Sequence, residues 1–286
     1  MKTAFIYVFI FSLMWTGLSA QEPAIRWKRE EPQTKEQLHL FHSIHAVNLP
    51  TAETLKKNEL EYEISHRFIP TVTTDNAYFG IDGPANIRTA LAYAITNHLM
   101  ITVGRSNLQD NYDFRLKYQF YQLDNPAFPV LLAARAGLGW NTEVYGSSGK
   151  LRDKTDTKNF QYYGQLIFNT MLWKKLGIGV VPSYLYNSHI LCVDTEYSFT
   201  VGSYLQYYVS TLWSVFFETN TTVTGFRRTY NPITLGIELE TGGHFFKIFL
   251  SNSRALNPTQ FLAGADLNVR DGDWRLGFNI TRILKL

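Results

Sequence analysis

The sequence holds one cysteine, Cys192, so no disulfide can form within the chain and an exported fold would have to stand without staples. Charge is scarce as well. Asp, Glu, Lys and Arg make up 18% of the residues, below the roughly 25% usual in soluble domains. A net charge of +3 is too weak to argue for a nucleic-acid partner. Past residue 20 no apolar run approaches the roughly twenty residues that a transmembrane helix needs. Yet 45% of the chain is hydrophobic and 15% aromatic, with 17 Tyr and 20 Phe. A chain this apolar without long apolar runs must spread its hydrophobic residues over short segments, and alternation is the pattern that does so.

What is present begins with Lys2, an apolar run from Ala4 to Trp15, and the small-residue stretch Gly17-Leu18-Ser19-Ala20. That order reads as a signal peptide over residues 1–20, because the run is too short for a membrane helix. Residues 21–57 are polar and of mixed charge, as in Arg26 to Glu31. They are expected to form a flexible or loosely docked leader on the periplasmic side. Residues 58–286 carry the fold.

From Glu59 onward, segments of period two follow one another. The clearest is Tyr112 to Gln122, where Tyr112, Phe114, Leu116, Tyr118 and Phe120 alternate with Asp113, Arg115, Lys117 and Gln119. Such alternation marks a strand with one apolar and one polar face. Eleven more are read at Glu59 to Phe68, Asn86 to Ile95, His98 to Arg105, Val130 to Trp140, Phe160 to Leu172, Leu176 to Asn187, Tyr197 to Val209, Trp213 to Val223, Ile233 to Glu240, His244 to Asn252 and Trp274 to Ile283. Most are near the length at which a tilted strand crosses a bilayer. Tight joins such as Thr96-Asn97 and Thr241-Gly242-Gly243 alternate with long ones such as Asn141 to Asn159 and Ser253 to Asp273. Short turns at one rim and long loops at the other define an up-and-down membrane barrel. The expectation is therefore an all-β, transmembrane antiparallel barrel of about twelve strands in the outer membrane, with both termini periplasmic. Trp140 and Trp274 at the long-loop ends, with Trp173 and Trp213 beside the short turns, fit two aromatic girdles.

In a bilayer every backbone polar group must pair within the protein, so the sheet must close and its polar face must turn inward. Collected strand by strand, that face carries Glu61, Glu63, Asp113, Glu218, Glu238 and Glu240 against Arg67, Arg88, Arg115, Lys117, Arg135, Lys247 and Arg275. Near-equal numbers allow these charges to pair, and a structural network in the lumen is the plainest reading. A selective pore would show rings biased to one sign. Small inward residues (Ala90, Ala92, Ala94, Gly137, Gly139, Gly177, Gly179, Gly236) mix with bulky ones (Tyr163, Tyr204, Tyr208, Phe216), which suits a partly filled interior.

Catalytic, metal and cofactor signals are weak. His42 and His45 lie three apart with no further ligand nearby. Ser65-His66, Ser188-His189 and Asp194 offer the parts of a triad without evidence of convergence. Gly80-Ile81-Asp82-Gly83 lacks the lysine and following helix of a phosphate loop. No catalytic residue, metal ligand or cofactor is assigned.

Several runs together resemble a known family: Val47 to Leu55 followed by Glu59 to Phe68, Phe79 to Gly83 with Ala85 to Arg88, Gly104-Arg105-Ser106, Glu240 to His244 leading to Ser251 to Arg254, and Asp271 to Arg282. They look like the DUF5777 family of β-barrel proteins from Bacteroidetes-type bacteria. The resemblance implies an outer-membrane barrel, with lipid around it and the barrel-assembly machinery as a partner, but no activity. The expected role is a narrow channel or a solute- or partner-binding barrel. The alternatives are a structural or assembly component that reaches a periplasmic protein through the leader and, less favoured, a membrane-embedded lipid hydrolase.

Overall fold

A computed structural model describes residues 37–146, 149–192 and 194–285; the expected signal peptide and residues 21–36 of the leader lie outside the described residues. Among the described residues twelve strands occur: β1 (Glu59–Phe68), β2 (Ala85–Ala94), β3 (Leu99–Ser106), β4 (Asn111–Leu123), β5 (Val130–Asn141), β6 (Phe160–Leu172), β7 (Leu176–Tyr186), β8 (Tyr197–Tyr208), β9 (Trp213–Gly225), β10 (Ile233–Glu240), β11 (His244–Ser251) and β12 (Arg275–Lys285). Each pairs antiparallel with its neighbour in sequence, and β1 pairs with β12, so the sheet closes into a barrel. The strands fall within two residues of the alternating segments, because a side-chain period of two fixes both the element and its inward face.

That inward face is the polar one. In β4, Asp113, Arg115 and Lys117 are buried while Phe114, Leu116 and Tyr118 are about half exposed on the outside. The same inversion holds around the barrel, with Leu91, Val103, Leu166, Leu205, Phe217, Ile237 and Ile248 exposed. A soluble protein rarely shows so continuous an apolar surface. No helix of the described residues is long and apolar enough to cross a membrane; the strands carry the apolar band instead.

Local departures from regular pairing have identifiable causes. Pairing of β6 with β7 lapses between Gln165↔Ser183 and Phe168↔Val180, beside Pro182, which has no N–H to give to a ladder. The β4–β5 register shifts between Gln119 and Tyr121. This bulge turns both Phe120 and Tyr121 outward. At the β6–β7 turn the Lys175 N–H bonds to Leu172 O, and both central residues, Trp173 and Lys174, are left-handed with φ of 52° and 55°. Two-residue hairpin turns demand that backbone to match the strand twist. The β10–β11 turn meets the same demand with Gly242 and Gly243.

Two segments outside the strands occupy the interior. Residues 40–55 are almost wholly buried. The loop between β11 and β12 folds back as a short helix, α1 (Pro258–Leu262), all of whose residues are buried. The expected loosely docked leader is thus corrected for residues 40–55, which pack within the barrel, while Lys56 and Lys57 lead out to β1 exposed.

Candidate functional site

The lumen is where the inward side chains meet the N-terminal insert. A pair of backbone bonds, Ala46 N–H to Leu49 O and Thr51 N–H to Ile44 O, folds residues 43–51 into a small hairpin with Ala46–Leu49 at its tip. Strands on every side hold it. The Glu218 carboxylate on β9 accepts the backbone N–H groups of Val47, Asn48 and Leu49 at 3.1, 2.9 and 2.8 Å, and the Asn48 side-chain amide at 2.9 Å. Lys117 on β4 donates to the carbonyls of Ile44 and Thr51. Lys247 on β11 donates to those of His45 and Ala46 and pairs with Glu238 at 3.0 Å. Asn169 on β6 accepts the Ala52 N–H, and the Tyr204 hydroxyl on β8 donates to Pro50 O. Arg67 on β1 donates to the Asn48 side chain and lies over the Phe249 ring at 4.4 Å. Buried charges are costly unless paired or hydrogen-bonded; here the insert's backbone supplies much of that bonding.

The neck of the insert is fixed at the β2–β3 turn. Asn97 O accepts from Gln37 and Thr54 side chains, and Asn97 Oδ1 accepts the Lys57 N–H. Inside the neck, Glu53 is buried and accepts the Leu40 and Phe41 N–H groups and the His39 ring. That hydrogen bond holds the His39 imidazole above its usual range. His45 behaves oppositely. Burial, reinforced by Lys247, Lys117, Arg115 and Arg135, holds its imidazole well below the ordinary value, although Glu63 stands 3.3 Å away. Glu63 is engaged elsewhere, by Arg88 at 2.9 Å and the Ser65 hydroxyl.

Two glycines on the wall record the shape of the insert. A Cβ at Gly177 would lie 2.5 Å from the Phe41 ring, and one at Gly202 would lie 2.6 Å from Leu49. Phe41 also meets Tyr204 edge-on, with ring centroids 5.5 Å apart. Phe261 of α1 and Ala255 belong to the same buried apolar cluster as Phe41, Leu49 and Ala52, which also takes in Leu131, Ile167 and Val181 of the wall. At the long-loop end Asn257 donates to Asn111, and Gln260 donates to Leu108 O.

The thirteen charged positions read from the sequence do not form one network. Arg88 bridges Glu63 and Asp113, bonding Asp113 through two nitrogens, and Arg115 reaches Asp113 at 2.6 Å. Glu238 and Lys247 form a second group with the insert, Glu218 and Lys117 bond chiefly to the insert, and Arg67 divides its bonds among His66 O, Asn279 and the insert's Asn48. Arg135 is buried with Gln165 as its hydrogen-bond partner and Tyr163 beneath it. Glu61 is buried 3.9 Å from His45. Arg275 pairs with Asp266 near the long-loop rim, and Glu240, a quarter exposed, pairs with His42 at the short-turn rim. Glu53, Asn169 and the insert itself escaped the sequence reading. The available signal was the density of apolar residues from Leu38 to Leu55 around the Asn48-Leu49-Pro50 turn.

Trp140 faces outward at the long-loop end of β5, stacked on Phe160 with its indole N–H bonded to Lys154 O. Trp274 adjoins β12 at that rim, while Trp173 and Trp213 are exposed beside the short turns. The residues that offered a triad are apart: Ser65 is buried in the lumen, whereas His66 stacks on Phe278 on the opposite face. Among the described residues no serine hydroxyl is hydrogen-bonded to a histidine ring.

A closed antiparallel sheet with an apolar outer band and a polar, filled interior is a membrane-embedded β-barrel. Residues 41–284 match the family model described as a membrane bound beta barrel domain, DUF5777, and the chain belongs to that family. The matched span includes the inserted hairpin. Among solved structures the chain is similar to the NanC porin, at 8% identity over 79% of this chain and 99% of that one with a TM-score of 0.45. It is also similar to the KdgM porin (10%, 78% and 98%, 0.43) and to outer membrane protein Omp33 of Acinetobacter baumannii (10%, 80% and 99%, 0.42). At this level the likeness is one of architecture alone. No curated protein matches the chain.

Proposed function

We propose that the protein is an outer-membrane barrel, closed at rest by its own N-terminal hairpin, that works as a binding barrel at its long-loop rim and not as a standing pore. The observation that carries this reading is the Glu218 cradle at the hairpin tip, backed by contacts from five other strands. In this reading the short-turn rim faces the periplasm, the barrel-assembly machinery inserts the chain, and lipid covers the apolar band. Conduction then requires the hairpin to withdraw. A periplasmic partner reached through residues 37–57 would require the same.

Planar-bilayer recording tests the proposal. The full-length barrel is expected to show no steady current. Gly202→Leu, whose side chain competes for the space of Leu49, is expected to produce one by displacing the hairpin. A steady ohmic current from the unmodified protein would overturn the reading.

A further inference from the structure

We infer that the β7–β8 loop at the long-loop rim holds a divalent, borderline-soft metal ion, of the Zn²⁺ class, between His189, Cys192 and Glu196. One ligand atom from each of the three residues lies within 4.8 Å of the other two, and each residue is partly buried. The backbone brings this about. Cys192 N–H bonds to His189 O in a tight turn, and Ser188 N–H bonds to Glu196 O to close the loop. The three side chains therefore converge despite spacings of three and four residues.

The imidazole is held from outside the loop. Its ring lies flat on Phe226, with centroids 4.2 Å apart and planes 9° apart. Phe226 is itself anchored to β8, its N–H on Tyr197 O and its carbonyl accepting the Ser198 hydroxyl. His189 Nδ1 stands 3.8 Å from Glu196 Oε1, beyond hydrogen-bonding distance. That gap fits ligands of one cation better than a direct bond. Zinc bonds of about 2.0 Å to nitrogen and oxygen and about 2.3 Å to sulfur place ligand atoms about 3.3 to 3.6 Å apart in a tetrahedron. Closing the His189–Glu196 gap takes a shift of roughly half an ångström, and bringing in the Cys192 sulfur, which lies within 4.8 Å of both, takes at most about 1.3 Å.

Nitrogen, thiolate sulfur and carboxylate oxygen form a set suited to Zn²⁺, whose charge the thiolate and carboxylate would neutralise. Binding displaces one proton from the Cys192 thiol as the sulfur–metal bond forms, and the fourth position is left for water or a ligand. Two arginines stand close: Arg152 donates to Ile190 O, and Arg228 lines the same cavity as His189 and Phe226. The inference does not depend on whether the lumen conducts.

Cobalt(II) titration of the purified full-length barrel in detergent tests it, with zinc added afterwards as competitor. The expected result is one equivalent of cobalt with a thiolate-to-cobalt charge-transfer band, bleached by zinc. Cys192→Ser should abolish the band, and His189→Ala and Glu196→Gln should each weaken apparent affinity at least about tenfold. His42→Ala, at the other rim, should change nothing. Heat-shifted electrophoretic mobility confirms that each variant remains a folded barrel. Absence of the band in the unmodified protein overturns the inference. So does a band that survives in both His189→Ala and Glu196→Gln, which would mark a lone thiol.

Discussion

Glu218 on β9 and Leu49 at the tip of the N-terminal hairpin are joined by a 2.8 Å bond from backbone N–H to carboxylate, inside a lumen that both residues help to fill. Three successive backbone N–H groups converge on one carboxylate there. Glu218→Gln removes the charge and turns an amide NH₂ toward donors. Hydrogen bonds to a charged group contribute about 1.5–3 kcal/mol each, so a net loss of roughly 2 kcal/mol is expected. Amide exchange at Val47, Asn48 and Leu49 should then quicken about thirtyfold while the strand amides keep their protection. Unchanged exchange at these three amides would remove Glu218 as the anchor.

Arg88 is wholly buried between two carboxylates. Arg88→Met fits the space but leaves Asp113 and Glu63 facing one another without their shared cation. Breaking a buried pair in this way costs about 3–5 kcal/mol. Chemical denaturation of the barrel in detergent should show a correspondingly lower midpoint. The double variant Arg88→Met with Asp113→Asn should recover part of it.

The two histidines of the insert give opposite pH signs. His39 is raised by Glu53, so its bond stabilises the neck fully below about pH 6.5 and is lost as pH rises through the elevated value. His45 is depressed by burial and neighbouring cations. Its contribution is complete above about pH 6.5 and is lost as pH falls toward the depressed value. Hydrogen exchange of the hairpin from acid to mildly alkaline pH should therefore show tip loosening in acid that His45→Gln abolishes. Neck loosening in alkali should be abolished by His39→Gln.

At the β6–β7 turn, Lys174 holds a φ of 55° without the freedom of glycine. Lys174→Gly should stabilise the barrel by about 1 kcal/mol, since an L-residue in the left-handed region costs about that much. A denaturation midpoint that falls instead would show that the lysine side chain contributes more than its backbone costs.

Barrel architecture was legible because alternation repeats twelve times and each repeat states both the strand and its inner face. Tyr112 to Gln122 displays both at once. The hairpin was harder to read. Its apolar residues, from Leu40 to Leu55, follow no period, since a tight hairpin surrounded on all sides has no outer face to be polar. Its neighbours misled in the same direction. Gly177 and Gly202 signify little until Phe41 and Leu49 are seen against them. Glu218 looks like one lumen acid among six until its partners prove to be backbone amides, which no side-chain pattern reports. The Cys192 cluster was hidden because convergence depends on the loop's turn and on Phe226, more than thirty residues from His189.

The residues flanking the hairpin, Gln37 and Lys57, both end at Asn97. Between these two residues the insert therefore enters and leaves by one rim, and none of the described chain is threaded through the barrel. Withdrawal of this stretch would need no break in the β1–β12 seam. A pull on Gln37 alone would peel one leg and break its bonds one after another. A pull on both legs together would load the Glu218, Lys117 and Lys247 contacts in parallel. The stopper thus resists force by an amount that depends on which leg is grasped.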